Sequence, residues 1–243
     1  MLPKVLYTMS SPILTIAVIS CNRLYFLRSL IDSIRECLKI DEVEWIVVDN
    51  ASIEEGLRNY LNGLGFLDHV ILRTERDPYN EFTLSYNEIV KKASGRYFLL
   101  LTDDMQFIYR GPWLGQVMEL AERNRQIGSI VLNAQRRPTI NRFFRRKGMT
   151  RWLLGKKSAR RFVSDDGKVT LLSYGDQKPG IAPAIANCLI RTEIVKEIGP
   201  IEPGGRQTVQ DAGGGFENMM LARYEEIGGG LERCLIQVPL AAA

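Results

Sequence analysis

Three short polar clusters each follow an apolar, β-rich run. They are Ser20-Cys21-Asn22-Arg23, Asp49-Asn50-Ala51-Ser52 and Thr102-Asp103-Asp104. They offer carboxylates, amides and hydroxyls, and no glycine. Asp103 and Asp104 are adjacent hard-oxygen ligands. A magnesium or manganese ion is usually held through one or two carboxylates, with phosphate oxygens of the substrate completing its shell. Such an ion would neutralise a diphosphate and stabilise it as a leaving group. Asp49 has the chemistry to accept a hydrogen bond from a nucleobase N–H or a ribose hydroxyl. The plainer account of an Asp-Asp pair after a strand is a helix N-cap or a solvated turn. That account weakens once Asp49 and Asn22 share the same edge.

Other chemistries fail on the residues. A dinucleotide fingerprint needs G-x-G-x-x-G after the first strand, where this chain has Cys21-Asn22-Arg23; Gly63-Leu64-Gly65 lacks the third glycine and ends a helical pattern. No G-x-x-x-x-G-K-[ST] is present, and Gly155-Lys156-Lys157-Ser158 lacks the upstream glycine. The single histidine, His69, sits in a strand-like run, which excludes His-rich metal sites and leaves a Ser-His-Asp triad without support. Cys21, Cys37, Cys188 and Cys234 form no C-x-x-C pair. Such spacing fits reduced thiols in a cytosol rather than a zinc knuckle or a redox pair.

The elements that must position these clusters follow from periodicity. Residues 13–20 (ILTIAVIS), 44–48 (EWIVV) and 97–101 (YFLLL) are continuous β-rich apolar runs, as in strands buried on both faces. Residues 69–73 and 127–132 read as two further strands. Leu24, Leu27, Ile31, Ile34 and Leu38 put one apolar stripe on a helix over 23–38. Further helices are expected over 53–64, 82–93 and 113–125, the third of these four closing at Ser94-Gly95. Strands alternating with helices over 13–133 predict a mostly parallel sheet covered on both faces. In such sheets ligands bind at the carboxyl ends of the strands, where all three clusters fall. Beyond residue 133 the pattern becomes α+β. A hairpin over 162–174 turns at Asp166-Gly167, a strand covers 184–191, and a helix covers 192–198. A Gly/Pro-rich loop over 200–215 precedes a helix over 216–227 and a strand over 231–239. The expected organisation is one continuous α/β domain with a ligand-binding half, 1–133, and a smaller α+β half, 134–243.

Composition sets the outer bounds. The chain has 243 residues, 45% hydrophobic and 25% charged, the balance of an ordinary globular domain. No apolar run reaches the roughly 18–20 residues of a membrane-spanning helix. Lys4, the run 13–20 and Cys21 faintly imitate a signal peptide or lipid-attachment site. The run is short and a helical pattern follows at once, so a first strand is expected instead. Net charge is +4, from 32 basic and 28 acidic residues, and it is unevenly spread. Residues 136–161 carry eleven cations and no acid, so the remaining 21 basic residues face all 28 acids. Charge runs are usually solvated loops. This one is interleaved with Phe143, Phe144, Met149, Trp152, Leu153 and Leu154, which suits an anionic membrane surface or a lipid-linked acceptor. The same mixture would equally suit a phosphate-rich acceptor or nucleic acid; lipid or a lipid-linked acceptor is the favoured reading, and nucleic acid is not the expected partner.

At these positions the chain resembles the family-2 glycosyltransferases of GT-A fold. The matching pieces stand in the family's order: 15–23 (TIAVISCNR), 45–52 (WIVVDNAS), 87–104 (NEIVKKASGRYFLLLTDD), 187–199 (NCLIRTEIVKEIG) and 216–228 (FENMMLARYEEIG). The resemblance implies transfer of a sugar from a nucleotide diphosphate sugar to an acceptor hydroxyl, with inversion and with Mn2+ or Mg2+. It places Ser20, Asn22, Arg23, Asp49 and Asp103 around the nucleotide sugar, with Asp49 at the base and Asp103 at the ribose. It makes Asp104 the metal ligand. The family's D-x-D-type motif reads Thr102-Asp103-Asp104 here, so the first carboxylate is a threonine. Glu217 would be the general base, with Asp211 as the substitute; an ordinary helix N-terminal acid is the plainer account of Glu217. The implied location is the cytoplasm, peripheral at the inner face of the membrane. Two rivals are a sugar-phosphate nucleotidyltransferase and a non-catalytic membrane or nucleic-acid binding module. The first would need a glycine-rich basic loop after the first strand, which is absent.

Overall fold

The computed structural model describes residues 11–132, 160–173, 187–203, 220, 222–224, 226–227 and 231–237. The first half runs β1 (Leu14–Ser20), α1 (Leu24–Cys37), β2 (Val43–Asp49), α2 (Leu57–Asn62), β3 (His69–Leu72), α3 (Glu81–Lys92), β4 (Tyr97–Thr102), α4 (Trp113–Arg123) and β5 (Ile127–Val131). Then come β6 (Arg160–Val163), β7 (Thr170–Ser173), β8 (Cys188–Arg191), α5 (Thr192–Ile198) and β9 (Glu232–Gln237).

These strands form one sheet in the order β3-β2-β1-β4-β8-β5-β9-β7-β6. Strands β1 to β4 are mutually parallel where they pair. The antiparallel β8 lies between β4 and β5 and separates them. The chain leaves β1 toward β2 and β3, then returns to place β4 on the other side of β1. That reversal is a topological switch point, the place in open α/β sheets where ligands bind in a crevice, and it falls at the carboxyl ends of β1 and β4.

Register decides which side chains meet there. Ser20 pairs with Asp49 across β1 and β2. Ile19 pairs with Thr102 across β1 and β4. Asp103, one residue further, therefore falls beside Ser20.

Strands β1, β2 and β4 are buried on both faces, which explains their unbroken apolar runs. Leu14, Ile16 and Val18 of β1 join Leu27, Leu30 and Ile34 of α1 and Leu114 and Val117 of α4 on one face. Ala17 and Ile19 point the other way, toward Ile89 of α3 and Ile194 and Val195 of α5. Each fully buried Leu or Ile contributes about 1.5–3 kcal/mol relative to an exposed one.

Most of the expected elements are present, and one starts late. Helix α2 begins only at Leu57, not at residue 53. The amides of Ile53 and Glu54 instead donate to Asn22 Oδ1, at 2.7 and 3.2 Å, and Gly56 takes a left-handed φ of 82°. A long-range bond thus outweighs local helical periodicity. Of the helix expected over 216–227, residues 220, 222–224 and 226–227 are described, and all of them are helical. The hairpin turns at Asp166-Gly167 as expected, with Gly167 at φ 71° and Val163 opposite Thr170.

Candidate active site

The crevice is built on Asp103. Its carboxylate is buried where β4 ends. Oδ2 accepts from the Ser20 hydroxyl at 2.8 Å and from the Cys21 amide at 3.4 Å. Oδ1 accepts from Arg23 Nη1 at 3.3 Å. Burial pushes the Asp103 carboxyl above its ordinary range; the Ser20 bond, the Arg23 charge and the Cys21 amide oppose this, while nearby Asp104 adds to it. Asp104 is half exposed. Its Oδ1 accepts from Thr102 Oγ1 at 2.6 Å, and its Oδ2 lies 3.7 Å from Arg23 Nη1.

Asp49 is fully buried. Its Oδ2 accepts from the Ser52 amide at 3.2 Å, and its Oδ1 accepts from the Ser52 hydroxyl. Its backbone oxygen accepts from the amides of Ala51 and Arg73, both at 3.0 Å. These bonds hold Ala51 at φ 54°, a left-handed conformation that a non-glycine residue adopts only when its surroundings enforce it. The Asn22 amide donates to Ser52 Oγ at 2.7 Å, and Asn22 itself has φ 53°. Glu54 Oε2 accepts from the Leu24 amide at 2.8 Å, so an acid from another loop serves the start of α1. The β1 and β2 loops are therefore one bonded unit that includes Ser20, Asn22, Asp49 and Ser52.

Two flanking residues that sequence reading passed over are Arg76 and Glu81. Arg76 Nε donates to Glu81 Oε2 at 2.9 Å. Both charges bear on the Cys21 thiol. Burial raises that thiol first of all; Arg76 lowers it, and Glu81, Asp49 and Asp103 raise it. The signal was a fourth charged strand end, Arg73-Thr74-Glu75-Arg76-Asp77, after β3.

Structure thus brings Ser20, Asn22, Arg23, Asp49, Asp103 and Asp104 to one edge. Glu217, Asp211 and the segment 136–159 lie outside the described residues. The donor set fits a hard divalent ion completed by phosphate oxygens, since two carboxylates stand at one strand end. Among the described residues no three ligating side chains group together, so substrate oxygens would have to complete the shell. Among the same residues no helix is long and apolar enough to cross a membrane.

A mostly parallel, helix-covered sheet with an acidic edge at its switch point is an α/β architecture of the GT-A type. Solved structures with the same fold include TarS from S. aureus, at 14% identity and TM-score 0.58 over 91% of this chain and 34% of that one. TarS residues 1–349 in complex with UDP-GlcNAc align at 14% identity and TM-score 0.55, over 91% of this chain and 55% of that one. The mannosyltransferase PcManGT from Pyrobaculum calidifontis, in complex with GDP-Man and Mn2+, aligns at 16% identity and TM-score 0.55, over 96% and 59%. This chain thus spans between a third and three-fifths of the length of these structures. No curated protein matches it. The model of glycosyl transferase family 2 matches residues 15–175, and the chain belongs to that family.

Proposed function

We propose that the chain transfers a sugar, with inversion, from a nucleotide diphosphate sugar to an acceptor hydroxyl. The observation that carries this reading is the bonded cluster of Ser20, Arg23, Asp103 and Asp104 at the β1/β4 crevice. Structures of the same fold in complex with UDP-GlcNAc, or with GDP-Man and Mn2+, support it. In this reading Asp103 faces the ribose, and Asn22 and Asp49 define the base end. The Asp49 carboxylate is occupied by Ser52, so it acts first by fixing the loop against which the base lies. Arg23 supplies positive charge to the phosphates. Asp104, with Asp103 beside it, would hold Mn2+ or Mg2+, which when bound supplies charge neutralisation on the departing diphosphate. Glu217 takes the proton from the acceptor hydroxyl, with Asp211 the second candidate for that step. The segment 136–161 would meet a lipid-linked acceptor or an anionic membrane surface, which places the protein peripherally at the cytoplasmic face.

The test is calorimetry with UDP, GDP and dTDP, with and without Mn2+. Binding of one of them, weakened by Asp103→Asn and losing its metal-dependent part in Asp104→Ala, is the expected result. Wild-type affinity in both variants overturns the site. A sugar-phosphate nucleotidyltransferase would instead take a nucleoside triphosphate and release diphosphate.

A further inference from the structure

We propose that Arg23 is a built-in counter-ion that occupies the Asp103–Asp104 pair until a donor diphosphate draws its guanidinium away. Diphosphate and divalent ion then bind cooperatively. This inference rests on the donor-site reading above and concerns how that site is loaded.

The geometry is asymmetric. One nitrogen, Arg23 Nη1, reaches both carboxylates, at 3.3 Å to Asp103 Oδ1 and 3.7 Å to Asp104 Oδ2. Thr102 Oγ1 already serves the other oxygen of Asp104, at 2.6 Å. The Asp104 oxygen left for an ion is therefore the one facing the guanidinium. A cation there repels a second cation, so an ion alone meets a site whose negative charge is already partly offset.

The two partners of Arg23 differ in burial. Asp103 is buried and tied by Ser20, whereas the side chains of Asp104 and Arg23 are about half exposed, at 52% and 51%. The Arg23 backbone is held, because its carbonyl accepts from the Leu27 amide at 2.9 Å in the first turn of α1. Only the side chain need move. Its present contacts use one nitrogen of a fork that carries five N–H donors. A phosphate presents oxygens that match this fork bidentately, so a diphosphate in the crevice is the better partner. As the guanidinium turns to the phosphate, Asp104 Oδ2 is released to a hard ion. Coupling of this kind is reciprocal: a nucleotide that improves ion binding is itself bound better when the ion is present.

The experiment titrates Mn2+ into the full chain, alone and with saturating UDP, GDP or dTDP, following free Mn2+ by electron paramagnetic resonance. Arg23→Gln and Arg23→Lys are compared with the parent. Removing one half-exposed charge should let Mn2+ alone bind about three- to tenfold more tightly in Arg23→Gln, the modest factor expected where solvent screens the pair. The tightening of Mn2+ by nucleotide should shrink by a similar factor, and metal-free nucleotide binding should weaken. Arg23→Lys, which keeps the charge, should stay nearer the parent. Unchanged or weaker Mn2+ binding by Arg23→Gln, with nucleotide still bound, overturns the counter-ion role and leaves the donor site standing. If none of UDP, GDP and dTDP binds the parent, the donor-site reading fails and the proposal falls with it.

Discussion

Replacing Asp103 by asparagine separates what this residue does for the fold from what it does for the site. The amide oxygen can take the place of Oδ2 and keep the bonds from Ser20 and Cys21. The amide NH2 then replaces Oδ1 and loses Arg23. That pair is half exposed on the arginine side, and such pairs contribute about 0.2–1 kcal/mol. Against this loss stands the removal of a buried negative charge. Burial is the largest influence on the Asp103 carboxyl and holds it above its ordinary range.

The sign follows from linkage. Below the ordinary carboxylate range Asp103 is protonated both folded and unfolded, and parent and variant should melt alike. As pH rises through the folded-state range, the unfolded carboxyl has already ionised, and the parent alone loses stability. The variant should therefore match the parent in acid and melt level with it or higher at neutral pH, by up to about 2–4 °C for each kcal/mol gained. Donor affinity should move the other way. A hydrogen bond to a charged carboxylate contributes about 1.5–3 kcal/mol, so nucleotide binding should fall about tenfold to a hundredfold. Melting curves across pH and nucleotide calorimetry on both proteins decide it. A variant that melts lower at neutral pH and draws level in acid would show that Arg23, not burial, dominates. A more stable variant with unchanged nucleotide affinity would remove Asp103 from the donor site.

Three further outcomes are expected. Gly95→Ala should destabilise the sheet by about 1–3 kcal/mol in chemical denaturation, because a Cβ there meets the backbone of Thr15 and lies 2.6 Å from the Leu14 carbonyl carbon. Gly128→Ala should also destabilise, since its Cβ would strike the Tyr224 hydroxyl; Tyr224→Phe should recover part of the loss in a double-mutant cycle. Glu217→Gln should lower kcat about 10²–10⁴-fold with donor binding nearly unchanged, once donor and acceptor are known, and Asp211→Asn should lower it much less.

Sequence patterns disclosed what local forces decide. The runs of β1, β2 and β4 are unbroken because both faces of those strands are buried, and the polar residue that ends each run marks the edge. The stripe Leu27, Leu30, Ile31, Ile34 on α1 is likewise local. Pairing between distant segments is not written that way. Nothing in CLIR announces that β8 enters antiparallel between β4 and β5. The late start of α2 depends on Asn22, about thirty residues upstream. The Arg23 contact to both aspartates is a matter of side-chain direction, and Arg76 with Glu81 reads as one more charged loop until the fold sets it beside Cys21.

The two ends of the same sheet show how stability and function divide. At the amino end lies another buried carboxylate, Glu44. Its Oε2 accepts from Thr15 Oγ1 at 2.5 Å and from the Ser94 amide at 2.8 Å, and its Oε1 accepts from Ser94 Oγ at 2.7 Å. Thr15 Oγ1 in turn accepts from the Gly95 amide at 2.9 Å. Every donor in that network is neutral and fixed between strands, so it locks β1, β2 and β4 together. At the carboxyl end Asp103 has one short neutral bond, to Ser20. Its other two contacts are 3.3 and 3.4 Å long, and one of them comes from a half-exposed arginine. A buried carboxylate left so loosely satisfied destabilises the resting fold, and it keeps hydrogen-bonding capacity for a partner that arrives later. The tight network at one end supplies the rigidity against which the loose one at the other can be held open.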